Sequence, residues 1–263
     1  MHAILSLTNM HMRARQHLTT PLTTQEATHW YLATSLFNSR LSSSPVPSER
    51  DPLWATAMFL GLISLFYIDA SDPSEAWPLA PPNPFDLSWL QMTDGKNAVW
   101  KALGPPNGND VLSSLYMAGP KSYPSAPSTK TAGLETLPSE FLTLLHLSSL
   151  NSTEDDENSN PYLKAATLLA QAIHSTGIVA TIINFFTFVS SMLPSFKTLL
   201  FQKDPGALLL LAYWYAQMLK FPNWWIERRA RLEGSGICIY LERWHGGDVI
   251  ARLLEGPKRV LGM

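Results

Sequence analysis

The chain has 263 residues, is 46% hydrophobic and carries only 15% charged residues, with a formal net charge of −2. It is long enough to bury a substantial core, as one large domain or two small ones. The near-neutral charge leaves no overall basic field for a nucleic-acid backbone, so this chain alone is not expected to bind DNA specifically. The low charged fraction predicts that some surface is buried in a partner or in a larger protein.

The sole cysteine, Cys238, excludes both a disulfide framework and a cysteine-based zinc cluster within this sequence. It lies among Ile237, Ile239 and Tyr240 and reads as a small buried hydrophobe. The first residues lack the order of a signal peptide, because Arg13 and Arg15 follow the apolar run and no small-residue cleavage site comes after them. The chain starts inside an amphipathic helical pattern and reads as N-terminally truncated. The longest apolar run, 178–193, falls short of the ~20 residues that span a bilayer, so a buried helix is expected there and no membrane span.

In chain order, residues 2–17 read as a helix that turns Ile4, Leu5, Leu7 and Met12 to the core. Residues 24–41 form a second, with Trp30, Leu32, Leu36 and Phe37 as its stripe. Asp51-Pro52 is a cap-and-start signal for a third helix, apolar almost all round, through Ile68. Asp72-Pro73-Ser74-Glu75 is a turn or short helix, and Pro78, Pro81, Pro82 and Pro84 predict an extended segment. Asp86 is expected to cap a helix through Leu103, in which Gly95 costs about 1 kcal/mol relative to alanine.

Residues 105–140 and 150–160 read as flexible insertions, the first rich in Pro, Ser, Thr and Gly, the second acidic and polar. Between them lies a short helix over 141–150. A helix opens at Pro161, the apolar run continues to Phe201 with a break or kink at Pro194, and Asp204-Pro205 repeats the start signal for 205–219. A long helix over 224–244 follows, which Gly234-Ser235-Gly236 is expected to split, then a short last helix from Asp248 to Leu254. Sustained period-two alternation is lacking. The fold class is therefore all-α, with about ten helices packed mostly as antiparallel neighbours.

The search for chemistry returns no phosphate loop, no His-Glu-x-x-His and no nucleophile elbow, so the chain reads as a non-enzyme without cofactor or metal. Asp69, Asp72 and Glu75 fit a turn better than an acid/base pair. The seven histidines are scattered, and His29, His146 and His174 stand on helices without a second ligand at helical spacing. Arg228, Arg229 and Arg231 with Glu227 and Glu233 read as a solvated mixed-charge face. An excess of large apolar side chains remains. From it, Met58, Leu62, Phe66, Phe185, Phe186, Tyr213, Met218 and Trp225 are candidates to line a lipophilic pocket; the same residue types also make ordinary core, and the sequence leaves both readings open.

Several segments resemble the C-terminal regulatory domain of fungal zinc binuclear cluster transcription factors, in the branch of the sterol uptake regulators. They include His29-Trp30-Tyr31, Asp51-Pro52-Leu53-Trp54-Ala55-Thr56-Ala57, Glu75-Ala76-Trp77-Pro78-Leu79 and Asp86-Leu87-Ser88-Trp89-Leu90. Gly95-Lys96-Asn97-Ala98-Val99-Trp100, Ala212-Tyr213-Trp214-Tyr215-Ala216, Trp224-Trp225-Ile226-Glu227-Arg228-Arg229-Ala230, Ile237-Cys238-Ile239-Tyr240-Leu241 and Pro257-Lys258-Arg259 continue the likeness. The resemblance covers most of residues 1–263. It implies a nuclear, helical effector domain in RNA polymerase II transcription regulation that shuttles from the cytoplasm, binds a sterol or other lipophilic molecule, and works as a homodimer or with a coregulator. The family's six-cysteine DNA-reading cluster is absent here. The alternative function is a ligand-free helical dimerisation or interaction domain.

Overall fold

The computed structural model describes residues 1–16, 22–43, 45–91, 99, 102–104, 133–147, 160–174, 187–189, 191–221 and 224–263. Among these residues there is no strand, and the all-α class holds. The helices are α1 (His2–Arg15), α2 (Thr24–Ser42), α3 (Arg50–Phe66), α4 (Ser139–Leu144), α5 (Leu163–His174), α6 (Pro194–Phe201), α7 (Pro205–Leu219), α8 (Trp224–Trp244) and α9 (Asp248–Leu261). Gly95, residues 105–132 and 151–159, and the apolar run at 178–186, with Phe185 and Phe186, lie outside the described residues.

The chain divides into two compact units. One comprises Met1–Ser71, Leu87–Ala118 and Trp224–Arg229; the other comprises Asp72–Asp86, Gly119–Asn223 and Ala230–Met263.

In the first unit α1 packs on both α2 and α3. The face that α1 buries is Ala3, Ser6, Met10 and Arg13, and this corrects the expected one. Ile4, Leu5 and Met12 are 48%, 38% and 51% exposed, and Leu36 of α2 is also exposed. Polar bonds decide the rotation of α1: Ser6 donates to the Glu26 carbonyl at 3.2 Å, and Arg13 Nε donates to Glu26 Oε1 at 3.0 Å. Apolar count alone does not register two such bonds. Thr23 and Glu26 close a capping box at the start of α2.

Asp51 does not cap α3. A 3₁₀ turn over Pro47–Glu49 precedes the helix, and Asp51 sits in its first turn. The helix also stops at Phe66 rather than Ile68, with Tyr67 in extended conformation.

In the second unit α7 is central and contacts α5, α6 and α9. Here the Asp-Pro signal works as expected, because Asp204 Oδ1 accepts from the Ala207 N–H at 2.9 Å with proline at the first helical position. Pro194 likewise opens α6, so the apolar run is interrupted there. The proline-rich stretch after Trp77 is folded into turns rather than extended, with Leu79 N and Ala80 N both donating to the Ala76 carbonyl. Asp86 accepts from Asn83 N, backward along the chain, and so closes a turn. Residues 133–138, read as loop, carry a 3₁₀ turn with Leu134 and Leu137 buried.

Gly234 and Gly236 do not split α8, which is continuous over 21 residues. A Cβ on Gly234 would stand 2.9 Å from Leu261 Cδ2, and one on Gly236 would stand 3.2 Å from the Pro73 carbonyl oxygen. These glycines are notches that let neighbouring chain approach the helix, which outweighs their poor helix propensity.

The last helix runs seven residues past Leu254 and carries Pro257 in its interior. Ile250, Leu253, Leu254, Pro257 and Leu261 form its buried stripe.

Candidate functional site

Of the expected solvated face of α8, Glu227 and Arg231 are exposed, whereas Arg228, Arg229 and Glu233 are anchors. Arg229 is buried and donates Nε to the Leu65 carbonyl at 2.9 Å and Nη2 to the carbonyls of Ser64, at 3.1 Å, and Tyr67. Arg228 Nη2 reaches the Ala70 carbonyl at 2.7 Å. A helix end leaves its last carbonyls without intrahelical donors and with partial negative charge. The Arg229 fork supplies both the donors and the cation at the end of α3. Charge balance in the sequence cannot distinguish this from a solvated arginine.

Glu233, also expected on that face, is buried and accepts from the Tyr215 hydroxyl.

The same use of polar side chains recurs in the second unit. Pro257 has no N–H to give the Leu253 carbonyl, four residues earlier in α9. The Tyr213 hydroxyl donates to that carbonyl at 2.8 Å. Burial pushes the Tyr213 phenol up to about 12, so it stays protonated and a donor at neutral pH. Gln217 Nε2 donates to the Ala172 carbonyl in the last turn of α5 at 2.9 Å, and Asn160 Nδ2 donates to the Leu145 carbonyl at 3.0 Å. Replacing Tyr213 by phenylalanine is expected to lower unfolding free energy by about 1–3 kcal/mol, because the carbonyl stays buried without its donor. Chemical denaturation measures this; a loss under a few tenths would show that the bond contributes nothing net.

Six of the eight candidate pocket residues are among the described residues, Phe185 and Phe186 being outside them, and the six fall as follows. Met58 and Leu62 are half-buried and Phe66 is buried, all on α3 in the first unit, where Trp225 is also buried. Tyr213 is half-buried and Met218 fully buried on α7 in the second unit. Phe66 already packs against Trp224, with ring centroids 5.3 Å apart, and under the Arg13 guanidinium, also at 5.3 Å.

Met58, Leu62 and Phe66 recur every four residues and so form one ridge of α3. The next position toward the N-terminus on that ridge is Trp54, which the sequence reading did not select. Trp54 is buried in the same core cluster as Phe66, against which Met58 packs, and its indole N–H has no hydrogen-bond partner among the described residues. A buried donor without an acceptor is costly, and it is the kind of group that pairs with a ligand oxygen. The four-residue spacing was the signal that could have found it.

Other candidate chemistry resolves into structure. Asp72 caps the Pro73–Glu75 turn by accepting from Ser74 N and Oγ, and these hydrogen bonds hold its carboxyl below the usual range. Cys238 is fully buried, and desolvation pushes its thiol up to about 12. Among the described residues no group of three or more His, Cys, Asp or Glu is placed to hold a metal ion, and no helix is long and apolar enough to cross a membrane.

Helices, apolar cores and polar side chains committed to helix ends define an all-α protein, with a ridge on α3 as its candidate site. Over nearly its whole length the chain is similar to a Zn(2)-C6 fungal-type transcription factor of Gibberella zeae, 26% identical over 275 residues that cover 98% of this chain and 52% of that protein. This similarity supports the fungal Zn(2)-C6 transcription factor family, though not the sterol-regulator branch within it. The chain spans about half the length of the curated relative it matches. No family model matches the chain, and no solved structure matches it.

Proposed function

We propose that this chain is the regulatory half of a fungal Zn(2)-C6 transcription factor, acting in the nucleus on transcription without a DNA-reading cluster among its own 263 residues. The observation that carries the reading is the similarity over 98% of the chain to a protein of that description. The sequence holds one cysteine, so a six-cysteine cluster is not within it. The reading is non-enzymatic: a helical effector domain that responds to a sterol or another lipophilic molecule.

The ridge Trp54, Met58, Leu62 and Phe66 supports the ligand part. It joins apolar side chains to one buried indole N–H that a ligand hydroxyl or carbonyl would satisfy. A ligand at roughly 100-fold its Kd adds about 2.7 kcal/mol, which raises Tm by about 5 to 10 °C. Thermal melting with a panel of sterols and fatty acids is the test. The expected result is a shift for one class that is smaller in Trp54→Phe, each protein being compared with its own unliganded Tm.

A second reading is supported by the exposed apolar side chains Ile4, Leu5 and Met12 of α1 and Tyr31 and Leu36 of α2. It makes the chain a ligand-free interaction domain that forms a homodimer or docks a coregulator. Analytical ultracentrifugation in the same series separates the two. No shift with any lipid, together with a concentration-dependent dimer lost in Leu36→Glu, would favour the second reading and remove the first.

A further inference from the structure

The scattered histidines include two that the fold brings together. His2, in the first turn of α1, and His29, in the second turn of α2, are 27 residues apart in sequence, yet their Nδ1 atoms lie 3.0 Å apart. Both side chains are half-buried, and the ring planes are tilted by 35° with centroids 5.1 Å apart. No periodicity within one helix could reveal this pair.

We infer that the His2–His29 pair is a binding site for a divalent late transition metal ion, held by the two Nδ1 atoms. Neutral imidazole suits zinc, nickel and copper. Metal–nitrogen bonds of about 2.0–2.1 Å place two adjacent ligand nitrogens about 2.9–3.4 Å apart, depending on the bond angle. The observed separation therefore needs only a small rotation of the rings.

In the metal-free pair one Nδ1 must carry the proton and the other accept it. Binding moves that proton to Nε2 of the same ring, so both Nδ1 lone pairs face the ion and no net proton is released. Among the described residues no third protein ligand joins the pair.

Helix packing holds the two rings in place before any ion arrives. Ser6, one turn beyond His2, donates to the backbone of Glu26, and Arg13 bonds the Glu26 side chain. A three-residue step then leads from Glu26 to His29 along α2. Ligands fixed in this way lose little freedom on binding. The ion would tie the start of α1 to α2, on the same face of α1 as Ser6 and Arg13.

Titration of the whole chain with Ni²⁺, followed by calorimetry and by the imidazole signals in ¹H–¹⁵N spectra, tests the site. The signals of His2 and His29 are expected to broaden first. His2→Gln and His29→Gln should each weaken binding at least tenfold, and the double variant should be no weaker than the weaker single one. Melting without metal checks that each variant is folded. Binding that survives His29→Gln would mean a site built on His2 alone and would overturn the inference, as would broadening that begins at other histidines. Neither result bears on the lipid response of the α3 ridge.

Discussion

Replacing Glu26 by alanine is expected to lower the unfolding free energy by about 3–5 kcal/mol, the range for removing one partner of a buried ion pair. The Glu26 side chain is 1% exposed and its oxygens are used on both sides. Oε1 accepts from Arg13 Nε at 3.0 Å, and Oε2 accepts from Thr23 N at 2.8 Å and Thr23 Oγ1 at 3.0 Å. The substitution leaves a guanidinium buried without its counter-charge and opens the capping box of α2. Thr23→Ala, which touches only the cap, should cost about 1 kcal/mol. Arg13→Met in the Glu26→Ala background should then restore part of the loss, because a buried ion pair is weakly stabilising against an apolar replacement, whereas a lone buried charge is not. Urea denaturation of the wild type, Glu26→Ala, Arg13→Met and the double variant gives the coupling. If Glu26→Ala costs less than about 1 kcal/mol, the pair is not buried in solution as it is here.

The second large effect is expected at Arg229. Its loss to alanine strips the donors from three carbonyls after and within the last turn of α3, at Ser64, Leu65 and Tyr67. Hydrogen bonds to charged groups contribute about 1.5–3 kcal/mol each and do not add fully, so a total of about 3–5 kcal/mol is expected. Arg229→Lys keeps the cation at the negative end of the helix but loses the planar fork that reaches several acceptors at once. It should recover part of the stability and not all of it. Equal losses for lysine and alanine would show that geometry alone matters; no loss for lysine would show that the charge alone does. Hydrogen exchange on residues 60–66 gives an independent reading, since the last turn of α3 should open first in both variants.

These two residues mark the boundary of what the chain announces about itself. Local start chemistry was legible at one of the two Asp-Pro signals, since Asp51 falls inside the first turn of α3 and does not cap it. Asp204-Pro205 gave the first turn of α7 because a short acceptor and a preset φ act within three residues. The start of α9 at Asp248 was also legible, although the helix runs on through Pro257, past the expected end at Leu254. It continues because Tyr213, on another helix, supplies the donor that proline lacks. Similarity to a fungal transcription factor was likewise carried by the order of short segments along the chain, and the comparison supports it at the level of the family.

Tertiary structure decided everything that depends on a partner distant in sequence. Local periodicity put Ile4, Leu5 and Met12 in the core, but a buried ion pair turned the opposite face of α1 inward. Composition made Arg229 and Glu233 a solvated face, but one became the cap of α3 and the other the acceptor of a buried tyrosine. Glycines that weaken a helix in isolation became the places where other segments touch α8. Of the candidate site, the α3 ridge could be read from four-residue spacing, whereas the indole of Trp54, without a partner among the described residues, and the meeting of His2 with His29 could not. The reason is the same throughout. Propensity and periodicity act over a few residues, while a buried polar group is satisfied by whichever element the fold brings within about 3 Å of it.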